Sequence, residues 1–183
     1  MGSLKDKTVF PGTPEYAAVK ALYDEAFGEI DDLDTMCRAM DGGKAALHGY
    51  YDGEELAAFA LVLLPGRYCY VLYSALAKER RHKGGIREIL ALIRAAYPDR
   101  PLIFDIETPL EGSEDLAERR YRYEMFTHLG FADTGFGMTD ASGTYTIFSE
   151  GGFDEASFRE NWDILPEEFG GTAIVVQNRT AGV

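Results

Sequence analysis

The sequence predicts an α/β protein with one mixed sheet, antiparallel at both ends and parallel in the middle, with helices on both faces. Three observations predict it. Residues 45–77 contain three apolar, strand-length runs separated by turn signals at Asp52-Gly53 and Pro65-Gly66. Residues 86–97 place Ile86, Ile89, Leu90, Ile93 and Tyr97 at helical spacing between two strand-like runs. Two strands separated by one helix imply a parallel, right-handed crossover.

Taken in order, Thr13-Pro14 is an N-cap followed by proline at the first helical position, opening a helix to residue 27 with Ala18, Leu22 and Ala26 on one side. An acidic helix is expected over 32–40, stopped by Gly42-Gly43. Strands follow over 45–51, 55–64 and 67–77, the last rich in aromatic and β-branched residues. After the helix that Pro98 closes, 102–107 (LIFDIE) is a strand. A charged helix over 114–129 ends at Gly130, and 131–139 with 144–149 form a second hairpin. The tail carries a short helix, 154–162, and a β-like run, 172–177, that either completes the sheet or pairs with a second copy in a homodimer. The expected organisation is a domain over 1–150 and a C-terminal helix-and-strand appendage over 151–183.

Between the third strand and its helix lies Lys78-Glu-Arg-Arg-His-Lys-Gly-Gly-Ile-Arg87, five cations and two glycines in ten positions of a chain with formal net charge -13. A loop at that place aims free backbone N–H groups and the positive end of the helix dipole at one point, where an anion is favoured. Lys78, Arg80, Arg81, Lys83 and Arg87 would add charge-assisted contacts. The alternative is a solvated charge run at the start of a surface helix.

The bulk composition excludes several classes. With 46% hydrophobic and 13% aromatic residues, the 183-residue chain has the means to build a sizeable core. Its longest apolar run, 56–64, is too short to span a bilayer, and no secretory leader pattern opens the chain. Cys37 and Cys69 make no disulfide framework, which fits a cytoplasmic location. His48, His82 and His128 lack metal-ligand spacing, so no metal is expected. Thirty-one Asp and Glu against 18 Lys and Arg repel nucleic acid and anionic membranes and tolerate a cationic substrate. Arg119, Arg120 and Arg122 are interleaved with Glu114, Asp115, Glu118 and Glu124, the pattern of an ion-paired solvated face.

Order of elements and residues together resemble the GNAT superfamily of acyl-CoA-dependent N-acyltransferases. That family's phosphate-binding signature is Arg or Gln, two residues, Gly, one residue, then Gly or Ala; Arg81-His-Lys-Gly84-Gly85-Ile86 matches the first two fixed positions, with Ile86 at the third. Its later signature, Phe-Tyr, three residues, Gly-Phe, is met by Met125-Phe126 and Gly130-Phe131. The resemblance covers roughly residues 14–149 and implies acetyl-CoA as cosubstrate, with a small-molecule or protein amine as acceptor. It implies that the strand before the loop splays from its parallel neighbour, that Ala75 and Leu76 bind the pantetheine arm, and that the main chain of Arg81, His82, Lys83, Gly84, Gly85 and Ile86 holds the diphosphate. Arg119 stands where the family's cofactor-contacting Asn is usual.

Acetyl transfer to an amine requires a proton acceptor for the ammonium and a proton for the departing thiolate. On the strand 102–107, Ile103, Asp105 and Glu107 share a face, and Glu107 lies nearest the carboxyl end, where ligands gather in such sheets. Glu107 is the first candidate for base or amine-binding carboxylate, and Asp105 the second; a cap or ion pair is Glu107's other role. The family's phenol falls at Phe126, which has no proton to give, so Tyr123, one turn earlier, is the substitute candidate, with core packing as its alternative. Loss of that phenol also leaves open a catalytically silent acyl-CoA sensor of the same fold.

Overall fold

A computed structural model describes residues 4–28, 32–81, 84–139, 143–165 and 175–179. In chain order these form β1 (Lys5–Thr8), α1 (Pro14–Phe27), α2 (Leu33–Met36) continued by a 3-10 turn (Cys37–Met40), β2 (Ala45–Asp52), β3 (Glu55–Leu63), β4 (Cys69–Leu76), a 3-10 turn (Lys78–Arg80), α3 (Gly85–Ala96), β5 (Leu102–Glu107), α4 (Leu116–His128), β6 (Ala132–Thr139), β7 (Thr144–Ser149), α5 (Glu155–Arg159) and β8 (Val175–Asn178). The strands make one sheet in the order β1-β2-β3-β4-β5-β7-β6-β8. β4 and β5 are the parallel pair; the neighbours on either side run antiparallel. This is the mixed sheet the sequence predicts.

Local signals account for the element starts. Thr13 accepts a hydrogen bond from the Tyr16 amide at 3.2 Å, and Asp32 accepts from the amides of Asp34 and Thr35. Gly53 takes the positive φ of the β2–β3 turn. Alternation along the strands sorts side chains to two faces. Leu47, Phe59, Leu61, Tyr70, Ile103 and Ile147 face α1, α2 and α5 with Val19, Tyr23, Met36 and Phe158. Ala58, Val62, Cys69, Leu102, Phe104 and Phe148 face α3 with Ile89, Leu90 and Ile93, and α4 with Tyr123 and Phe126. Burial on both faces explains why residues 57–63 are apolar without a break.

One finding differs from the sequence expectation. β1, Lys-Asp-Lys-Thr, is an exposed polar edge strand paired with β2, and has no apolar pattern to announce it. Of the two alternatives for the tail, completing the sheet is the one seen: β8 runs antiparallel to β6 of the same chain, Gly137 opposite Gln177.

The feature that positions the site is a break in the centre of the sheet. The β4–β5 ladder has two rungs among the described residues, Cys69 with Leu102 and Tyr70 with Ile103. Immediately beyond, the β3–β4 register slips: Val62 opposes Val71 but Leu61 opposes Tyr73, so Leu72 is an extra residue on β4. Such a bulge bends and twists the strand that carries it. β4 follows β3 to Leu76 while β5 follows β7 to Glu107, and the two diverge. Leu72–Leu76 are consequently only half-buried in the fourth strand of eight.

Candidate active site

The cleft between the diverging halves of β4 and β5 leads to the start of α3. Gly84 caps that helix with φ 78°, a left-handed conformation that costs a residue with a Cβ about 1–2 kcal/mol. Space around Gly84 is open, whereas a Cβ on Gly85 would lie 3.1 Å from Leu76 Cδ2 and 3.2 Å from the Arg80 carbonyl oxygen. The two glycines therefore do different things: Gly85 lets the helix start pack against the end of β4, and Gly84 turns the chain and leaves the space in front of the helix clear. α3 runs twelve residues, so its first-turn amides and dipole favour an anion there.

The basic loop is braced by acidic residues. Arg80 pairs with Asp52 on the β2–β3 turn, Arg81 with Glu25 of α1 at 3.2 Å, and Lys78 with the same Glu25 at 3.4 Å. Arg81 Nε also donates to the Leu76 carbonyl at 3.0 Å, tying the loop to the strand end. Ala75 and Leu76 lie on the β4 side of the cleft, and Ile86 is in the first turn of α3. His82 and Lys83 lie outside the described residues. Sequence reasoning did not single out Glu25, a residue of the exposed side of α1 that only the tertiary fold brings to the loop.

On β5, Asp105 and Glu107 differ in their partners. Asp105 accepts a hydrogen bond from the hydroxyl of Tyr70, a fully buried residue. Glu107 is clamped: Oε1 accepts from Arg119 at 3.0 Å and Oε2 from Arg122 at 2.5 Å. Arg119 also donates to Asp115 at 2.6 Å and to the Thr108 carbonyl at 3.4 Å, so each of its guanidinium nitrogens is engaged within the chain. The three helix arginines are ion-paired, but among the described residues only Asp115 of the four expected acids takes part; Glu107 and Glu111, from outside the helix, supply the other partners.

Tyr123 belongs to the opposite face of the sheet. Its hydroxyl donates to Asp133 Oδ2 at 2.8 Å, its ring meets Phe148 edge-on, and Asp133 is itself held by Arg179 at 3.0 Å. Burial, and then the hydrogen bond to Asp133, raise its pKa. Glu107 and Tyr123 thus serve separate networks. Phe126 packs on Phe104 with ring centroids 4.4 Å apart and the rings tilted, and Phe131 closes the same aromatic group after Gly130, at φ 92°, ends α4. Sequence reasoning did not pair Tyr70 with Asp105. Alternation along two parallel neighbours places Tyr70 and Asp105 on one face, so a signal was available in the register.

His48 is buried between Asp6 Oδ1 at 2.8 Å and the Tyr97 hydroxyl at 2.7 Å, and His128 bonds its own helix at Glu124. No group of side chains among the described residues has metal-site geometry. No described helix is long and apolar enough to cross a membrane.

The sequence matches no protein-family model and no curated protein. Solved structures do resemble it. A protein assigned to the GNAT family of acetyltransferases from Bacteroides thetaiotaomicron superposes with a TM-score of 0.64 at 14% identity, over 91% of this chain and 96% of that one. An aminoglycoside 6'-N-acetyltransferase complexed with coenzyme A gives 0.59 at 15% identity, over 79% and 95%. The chain has the GNAT acetyltransferase fold. A GNAT-family acetyltransferase from Elizabethkingia anophelis with acetyl-CoA bound also superposes, at 0.52 and 10% identity over 81% and 98%. In this GNAT-fold chain the bulge at Leu72, the Gly84-Gly85 helix start and the Asp105–Tyr70 pair all belong to the central strands and their first connection.

Proposed function

We propose that the protein is an acetyl-CoA-dependent N-acetyltransferase that passes the acetyl group directly to an amine of a small molecule or a protein. One observation carries this: the central parallel ladder ends at the bulge on β4, and the cleft beyond it leads to the Gly84-Gly85 start of α3. A thioester on a long arm with a phosphate-bearing end matches that sequence of features, extended main chain first and an anion-favouring helix start after it. Two fold neighbours carrying coenzyme A and acetyl-CoA support the choice of ligand.

In this reading Ala75 and Leu76 meet the pantetheine arm through backbone groups, and the amides of residues 81–86, with Lys83 and Arg87, hold the diphosphate. Amides left without a β5 partner near the bulge face the thioester carbonyl, where donors aimed at the developing oxyanion lower the barrier. Arg119 contributes its charge from α4 and orders Glu107. The thiolate, whose free thiol has a pKa of ~8.5, leaves without help from a phenol at Phe126; Tyr123, engaged with Asp133, supports the fold of α4 on the sheet.

Calorimetry with acetyl-CoA and free CoA, followed by thiol release in the presence of amines, tests the proposal. Binding together with amine-dependent release is expected. No binding at millimolar ligand overturns it, and binding with release only at the background rate makes the protein an acyl-CoA sensor.

A further inference from the structure

Resting on that reading, we propose that β1 is a strap on α3, and that its docking on the sheet edge and the binding of coenzyme A at the start of α3 strengthen each other. The segment grips the helix at both ends. At the start, the Leu4 amide donates to Glu88 Oε1 at 3.2 Å, and Glu88 lies in the first turn of α3. At the far end, Asp6 Oδ1 bonds His48 Nδ1 at 2.8 Å, and His48 Nε2 bonds the hydroxyl of Tyr97, the residue that caps α3, at 2.7 Å. A carboxylate only accepts, so Nδ1 carries a proton and the ring joins strand to helix in one orientation.

The two ties are buried, whereas the strand itself is not. Leu4 and His48 are each 5% exposed. Leu4 joins Ile89, Leu90 and Ile93 of α3 in one apolar cluster, and the His48 ring lies parallel to Tyr50, centroids 6.1 Å apart, and meets Tyr97 edge-on at 5.6 Å. Lys5, Asp6, Lys7 and Thr8 are exposed, and β1 stands at the end of the sheet order with β2 as its neighbour. A four-residue edge strand with few buried apolar contacts opens locally at low cost. Opening it takes Leu4 from the cluster, a donor from Glu88 and a partner from His48 in one event.

That event reaches the anion site. Tyr97 follows Gly85 by twelve residues, about 18 Å along the helix, so the Asp6 tie acts on the phosphate end through α3 and not by contact. Glu88 acts at close range. Its carboxylate sits within the turn whose amides favour an anion, and the Leu4 amide offsets part of its charge. With β1 away, the carboxylate loses that donor and its charge opposes the phosphates more strongly. Reciprocity then requires that bound CoA hold β1 down by the same factor.

Hydrogen exchange and calorimetry with free CoA test the strap, on the wild type, the double variant Leu4→Ser/Asp6→Ala, Tyr97→Phe and Lys5→Ala. In the wild type, saturating CoA is expected to slow exchange of the β1 amides by about fivefold or more, with the β8 amides at the opposite sheet edge unchanged. Edge strands exchange by local opening, so the comparison separates coupling from general stabilisation. The double variant loses both ties and is expected to bind CoA about fivefold or more weakly, with β1 exchanging freely. Tyr97→Phe removes one hydroxyl, speeds β1 exchange in the absence of CoA and melts cooperatively, so the tie is read even where the double variant folds poorly. Lys5→Ala leaves both ties in place and keeps both wild-type values. Equal slowing at β1 and β8, or CoA affinity within about twofold of wild type in a folded double variant whose β1 exchanges freely, overturns the strap while leaving CoA binding and acetyl transfer standing. Failure of the wild type to bind CoA at all overturns both.

Discussion

At the scale of single residues, the two glycines before α3 make the sharpest contrast. Gly84 needs its positive φ but has open space, so Gly84→Ala should cost about 1–2 kcal/mol of stability, the penalty of a left-handed residue with a Cβ. Its new methyl enters the space in front of the helix amides, and CoA affinity should fall by more than about tenfold, beyond what loss of stability alone produces. Gly85→Ala instead presses on Leu76 and Arg80 and should act chiefly on the melting temperature. Thermal melts and calorimetry on both variants separate the two effects; equal affinity loss in each would contradict the division. The cysteines give a second residue-scale prediction. Burial pushes the Cys69 thiol up to about 12 and the Cys37 thiol up to about 11, from 9.0. Neither should react with a thiol reagent at pH 8 until the protein unfolds. Because folded values lie above unfolded ones, their contribution to stability is full below pH ~9 and is lost as pH rises toward 11 and 12. Melting temperatures across that alkaline window check the sign.

At the scale of elements, the basic loop is a junction. Glu25 on α1 holds Arg81 and Lys78, while Asp52 on the β2–β3 turn holds Arg80. The Glu25 pairs are solvent-exposed, and such pairs contribute about 0–1 kcal/mol. Glu25→Gln should therefore leave the melting temperature within a degree or two and strengthen CoA binding by about threefold at low salt, an advantage that disappears by ~0.5 M salt as screening sets in. A salt titration of the dissociation constant reads this directly. The elements themselves were largely legible because each had a local cause: Thr13 and Asp32 at helix starts, Gly53 in a turn, strand-length apolar runs between turn signals in β2 and β3. β1 and the β4 bulge were not. Lys5–Thr8 is a strand only because β2 offers an edge, and Leu72 sits in an apolar run whose register depends on Leu61 and Val62 opposite. Site residues divided the same way. The helix start was written in Gly84-Gly85, whereas the clamping of Glu107 by Arg119 and Arg122, and the hold of Tyr70 on Asp105, depend on contacts between elements.

For the whole molecule, the C-terminal segment bears on both the core and the site. Phe158 is fully buried among Tyr70, Phe153 and Trp162, and the Tyr68 hydroxyl accepts from the Asp154 amide at 2.7 Å. Ser157 Oγ accepts from the Arg67 amide at 2.8 Å, and the Ser157 backbone passes so close to Gly66 that a Cβ there would lie 2.6 Å from its carbonyl oxygen. Truncating a buried phenylalanine costs about 3–5 kcal/mol, a large part of the 5–15 kcal/mol that holds a typical domain together. Phe158→Ala should accordingly lower the melting temperature by more than about 6 °C while leaving CoA affinity near wild type because the helix start lies on the α3 side. A chain ending at Glu150 removes Phe158, both hydrogen bonds and the partner strand of β6 together, and should show no cooperative thermal transition. A cooperative melt from that shortened chain within a few degrees of the full protein would mean that residues 151–183 are an appendage in energy as well as in sequence position, and that Tyr70 is fixed by the sheet alone.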